Sequence, residues 1–94
     1  MPLETSRFDI QDHLATTEEQ SAYLEAALAS DDPSFIAVAL GDIARARGVT
    51  EFAREAGLSR DTIYKRFRPG GNPTLETINA ATKVLGLKLT LVPA

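Results

Sequence analysis

Residues 49–67 constrain this chain more than any other stretch, because their apolar side chains recur only where two short helices crossing at a sharp turn would touch. Ala53 is small enough to let a second helix cross close to the first. Gly57, four residues on, takes a positive φ without a Cβ clash and suits the turn. Ile63, six further, is a β-branched plug at the spacing that faces Ala53, and Phe52, Leu58 and Phe67 complete a small core. The Ser59 hydroxyl suits an N-cap, where it accepts one of the first-turn amides of the second helix. Once these residues face inward, Arg60, Asp61, Tyr64 and Lys65 are left on the outer face. An ordinary helical hairpin has similar spacing, but the whole pattern is that of a helix-turn-helix, whose second helix enters a DNA major groove.

Charge separates these two readings. Residues 45–94 hold nine Lys and Arg against four acids, whereas residues 1–44 hold Arg7 alone against nine acids. The formal net charge of −3 therefore averages an acidic first part and a basic second part. A phosphate lattice attracts the second and repels the first.

Ninety-four residues without cysteine make one small domain and exclude disulfides, thiol catalysis and cysteine–zinc fingers. Stretches of roughly 20 apolar residues, as a membrane span needs, are absent, and the start lacks a basic region followed by an apolar run. A soluble, cytoplasmic chain is expected. Enzyme activity is not: His13, the single histidine, stands in an acidic segment, the carboxylates are scattered, and no glycine-rich phosphate loop precedes a helix. Neither a metal site nor a cofactor is anticipated.

Three parts follow along the chain. Residues 1–30 form an acidic arm and helix, residues 31–86 the helical domain around the 49–67 motif, and residues 87–94 a terminal segment. In the first part Phe8, Ile10 and Leu14 are apolar anchors among acids, and Thr17-Glu18-Glu19-Gln20 reads as a capping box with Thr17 as N-cap. The helix after it carries Tyr23, Leu24, Ala27 and Leu28 on one side. Asp32-Pro33 opens a second helix with Phe35, Ile36, Ala39, Leu40 and Ile43 at helical spacing, closed by Gly48. Arg45 and Arg47 sit in its last turn. After the motif, Arg68-Pro69-Gly70-Gly71-Asn72-Pro73 is a loop, and Thr74 caps a helix with Leu75, Ile78, Ala81, Val84 and Leu85 inward. Leu87-Lys88-Leu89-Thr90-Leu91-Val92 alternates as a strand does. A lone strand leaves its edges unpaired. It is therefore expected to pair through Leu87, Leu89 and Leu91 with a second copy or a partner's sheet, the alternative being a tail packed on its own helices. The expected fold is all-α, with five helices, an N-terminal helical extension and a short C-terminal β-strand.

In this order the elements resemble the Xre/Cro-type helix-turn-helix family and, within it, the HigA-like addiction-module antidotes, also described as prophage DNA-binding proteins. The resemblance covers most of the chain. It rests on Phe8-Asp9, Tyr23-Leu24-Glu25-Ala26-Ala27-Leu28, Asp32-Pro33, the run from Ala39 to Gly48, Ala53-Arg54-Glu55, Gly57-Leu58-Ser59-Arg60, Tyr64-Lys65, Gly71-Asn72-Pro73 and Leu85-Gly86-Leu87-Lys88-Leu89. The stretch from Leu40 to Gly48 together with Gly71-Asn72-Pro73 is its most specific part. Arg66 departs from the pattern, standing where an apolar residue is commoner, with Phe67 next to it to supply the packing.

The resemblance implies an antitoxin that neutralises a small basic RelE-like toxin by direct binding and represses its own operon. Two copies related by a two-fold, a homodimer, would read a palindrome in double-stranded operator DNA. An orphan repressor without a toxin is the alternative. Resemblance and helical geometry assign Arg60, Asp61, Tyr64 and Lys65, with Ser59 beside them, to base edges, where Arg and Lys donate to guanine and Asp accepts from cytosine. Thr50 and Arg68, with the Gly70-Gly71-Asn72 amides, are candidates for phosphate contacts, while Arg45 and Arg47 lie close to where DNA is expected, as contacts or as solvated charges. For the toxin, the acidic part points to Phe8, Ile10, Leu14 and Tyr23.

Overall fold

The computed structural model describes residues 13–94, which form five helices: α1 (Thr17–Ala29), α2 (Pro33–Arg47), α3 (Val49–Ala56), α4 (Arg60–Arg66) and α5 (Leu75–Val84). The central element is α2. It packs against α1, α3 and α4, while α3 also packs against α4 and α5. Its sequence explains the position: Ala37, Ala39, Leu40, Gly41, Ile43 and Ala44 are small or apolar, so neighbours approach from several sides and all are buried. Leu24, Leu40, Ile43, Phe52, Ile63, Phe67, Ala81 and Leu85 make the core around it. Phe52 and Phe67 meet edge to face, with centroids 6.4 Å apart.

Helix starts follow hydroxyl and carboxylate caps. Asp32 accepts from the Ser34 amide ahead of Pro33, Ser59 from Thr62, and Thr74 from Thr77. The first helix starts one residue earlier than expected. Thr16, not Thr17, is its N-cap: Thr16 Oγ1 accepts from the Glu19 amide and Glu19 Oε1 accepts from the Thr16 amide. Both threonines have a Glu or Gln three residues on, but a carboxylate is the stronger acceptor for the returning amide. Gln20 is instead drawn inward, where its Nε2 donates to the Leu14 carbonyl at 2.9 Å.

The expected C-terminal β-strand is absent: no strand occurs among the described residues, and residues 87–94 are irregular. The reason lies in the end of α5. Gly86 takes φ 73° and the Leu87 amide donates to the Thr82 carbonyl at 3.0 Å, so Leu87 closes the helix instead of opening a strand. Leu87 packs on the core and Leu89 is half-buried, whereas Leu91 is 97% exposed. The alternation thus serves packing against the chain's own helices at its start. The inward face of α5 also differs from the expected one, since Leu75 is exposed. Thr77 and Thr82 take buried places, their hydroxyls donating to the carbonyls of Thr74 and Asn79.

Candidate nucleic-acid interface

The α3–α4 corner is made by backbone chemistry. Gly57 takes the left-handed conformation at φ 71°, and the Leu58 amide donates across it to the Ala53 carbonyl at 2.9 Å. This double-bonded helix end turns the chain sharply. Ser59 then starts α4 with extended backbone, its Oγ 3.0 Å from the Thr62 amide. Ile63 and Phe67 are buried against Phe52 and Ala53, which fixes the rotation of α4 about its axis.

That rotation leaves Arg60, Asp61, Tyr64 and Lys65 exposed together. Tyr64 is 52% exposed, far more than a phenol ring supporting a core would be. The Arg60 guanidinium lies 6.0 Å from the Tyr64 ring centre, and Lys65 Nζ lies 3.2 Å from Asp61 Oδ2. These are contacts within one helix, weak in water and readily exchanged for a ligand. Arg68 is exposed at the helix end, its Nε donating to the Lys65 carbonyl. Ser59 and Thr50 are exposed at the starts of α4 and α3. All seven residues expected to face DNA are therefore accessible. Arg66 is half-buried and donates from Nη1 to the Asn72 carbonyl at 2.9 Å, bracing the loop after α4, while Phe67 fills the core position.

The partner residues expected in the acidic part are scattered. Phe8 and Ile10 lie outside the described residues. Leu14 is 3% exposed, a core residue beneath the start of α1. Tyr23 is half-buried, its ring edge-on to Phe35 and its hydroxyl donating to Asp42 Oδ2 at 2.8 Å. Of the terminal leucines, Leu89 and Leu91 share with exposed Leu75 a shallow apolar groove beside α5. His13 is exposed, and the described residues contain no cluster of metal-ligating side chains. No described helix is long and apolar enough to cross a membrane.

Sequence reasoning missed the polar joints around α2. Buried Asp42 also accepts from Arg45 Nη2 at 2.9 Å. Arg47 donates to Gln20 Oε1 at 2.8 Å and pairs with Glu55. An Asp amid the apolar stripe of a helix was the available signal, since a buried carboxylate needs donors.

The sequence pattern of the family described as probable addiction module antidote protein matches residues 4–93. The chain belongs to this family. An uncharacterized protein of Haemophilus influenzae is 44% identical over 81 residues, covering 86% of this chain and 84% of the relative. No solved structure matches the chain. Membership of an antidote family supports an antitoxin role in an addiction module. The HigA-like and Xre-type assignment is finer than that match.

Proposed function

We propose that this chain is the antitoxin of a type II toxin–antitoxin module, a HigA-like helix-turn-helix protein that neutralises a small basic toxin of the RelE type and represses its own operon. The observation that carries the DNA-binding half is the joint exposure of Arg60, Asp61, Tyr64 and Lys65 on a helix whose rotation is locked by Ile63 and Phe67. Lining the major groove, Arg60 and Lys65 donate to guanine O6 and N7 and Asp61 accepts from cytosine N4. Ser59 and Tyr64 flank them, and Thr50 and Arg68 hold phosphates and set the register.

Binding as a homodimer gives two such helices about 10 bp apart on a palindrome. The apolar groove of Leu75, Leu89 and Leu91 is the surface offered to a second copy, close in sequence to Leu87, which packs on the core. The acidic first part offers opposite charge to a basic toxin, through residues 1–16 and the exposed acids of α1. The work takes place in the cytoplasm, on DNA and on a cytosolic toxin, and involves neither a metal nor a cofactor.

Co-expression with the neighbouring reading frame, with only this chain tagged, tests the reading. It predicts co-purification of a small basic protein that arrests growth when expressed alone, and retardation of the chain's own upstream duplex. Purification alone with intact duplex binding would leave an orphan repressor. Failure to bind upstream DNA at low salt would remove the helix-turn-helix role.

A further inference from the structure

Two arginines share the last turn of α2, and the structure gives them different surroundings. Arg47 is turned toward α1 and α3, held by Gln20 and Glu55. Arg45 is turned the other way. A Cβ built on Gly41 would lie 2.2 Å from the Phe67 carbonyl oxygen and 3.4 Å from Arg45 Nη1. The Arg45 guanidinium thus sits at the carboxyl end of α4, the end that also carries exposed Arg68. Among the described residues its bonded partner is Asp42, whose Oδ1 accepts from Nη2, and the side chain is 42% exposed. Asp42 is 1% exposed and its second oxygen accepts from the Tyr23 hydroxyl of α1.

We propose that Arg45 contacts a backbone phosphate of the duplex bound by α4, and that Asp42, braced by Tyr23, is the positioning residue that aims its guanidinium. The proposal rests on the DNA-binding reading above. A flexible Arg loses side-chain entropy when it grips a phosphate, and a fixed carboxylate reduces that loss by holding the guanidinium plane beforehand. Asp42 is suited to this because it is buried, so its orientation is set by α2 and by Tyr23 instead of by solvent. The guanidinium hydrogens that Asp42 does not take are left for a phosphate oxygen. The cost is a negative charge near the phosphate, and this makes the role testable by sign.

The experiment is a fluorescence-anisotropy titration of the full chain against two labelled duplexes, one from immediately upstream of its gene and one of scrambled sequence, over a range of salt. Arg45→Met should weaken both duplexes about tenfold at about 50 mM salt, and lower the slope of log K against log salt by about 0.9, so that the loss shrinks about threefold by about 200 mM. Arg45→Lys, which keeps the charge, should restore the slope but not the full affinity. Asp42→Asn separates positioning from charge. Loss of a negative charge by itself tightens binding to phosphate, whereas loss of the guanidinium's anchor loosens it; loosening of about threefold is expected. Tyr23→Phe should loosen in the same direction by less, with the unfolding temperature followed for each variant.

An unchanged slope in Arg45→Met, or tighter binding in Asp42→Asn, overturns the proposal. If Asp42→Asn does not fold, the Arg45 pair and Tyr23→Phe decide it by themselves. Should the unaltered chain bind neither duplex at low salt, the DNA-binding reading falls and this contact falls with it. Should Arg60→Ala with Lys65→Ala lose upstream-duplex binding while Arg45→Met leaves the salt slope unchanged, only the contact falls.

Discussion

The helices on either side of α2 are held in opposite ways. Across α1, side-chain hydrogen bonds join it to its neighbour: Tyr23 donates to Asp42, and Gln20 accepts from Arg47, above the buried pair Leu24 and Ala27. Across α4 the hold is apolar and backbone-close, through Ile63, Phe67 and the carbonyl of Phe67 against Gly41. The polar side chains of α4 described above bond within the helix or to the loop after it. An element held by its side-chain polar groups has few left over for a ligand. One held by two apolar anchors keeps its outer polar face free, so α4 can bind without first breaking bonds to the fold.

The largest effect should come from removing an apolar anchor. Phe67→Ala should destabilise by about 4 kcal/mol, a large part of a small domain's stability, read by urea unfolding. A loss below about 1 kcal/mol would mean that α4 is held by something other than its anchors. Gly41→Ala probes the close approach directly. Its Cβ would fall on the Phe67 carbonyl, so α4 must move, at a cost of about 3 kcal/mol. Normal stability there would break the claim of backbone-close packing.

Arg60→Ala with Lys65→Ala should leave unfolding within about 0.5 kcal/mol of the parent, since both are exposed. The same pair should lose about 1–3 kcal/mol of discrimination per base contact, seen as lost retardation of upstream DNA in preference to scrambled DNA. The smallest effect sharpens the α1 side. Thr16→Ala should cost about 1 kcal/mol, and Thr17→Ala less than about 0.5, in thermal unfolding. The reverse order would restore Thr17 as the cap.

Much of α3 and α4 was legible because its determinants are local. Gly57 needs its positive φ whatever surrounds it, Ser59 caps through an amide three residues away, and Ile63 follows from helical spacing. Even so, the outward face of α4 could be named from the sequence only once its inward residues had been identified. The capping of α1 was misplaced by one residue because two threonines satisfied the same local rule. The Glu19 carboxylate takes the returning amide, and Gln20 is held inward by the Leu14 carbonyl and by Arg47 of α2. Leu14 itself read as a surface anchor because its neighbours are acidic. Its burial comes with its place in the core cluster that also holds Leu24, Leu40 and Ile43, which no window of neighbouring residues contains.

The sequence by itself therefore determined the helices, their breaks, the charge division of the chain and the identity of the exposed face of α4. These depend on backbone preferences and periodicity, which act over a few residues. Tertiary structure alone decided that the alternating end is no strand, because an alternating pattern needs a free edge to pair with, and Leu87 instead closes α5. It alone separated Arg45 from Arg47, adjacent in kind and in turn, by giving them different neighbours. It also revealed the purpose of Asp42 in an apolar stripe: buried charge is tolerated only where donors converge, and Tyr23 and Arg45 converge on it from two helices.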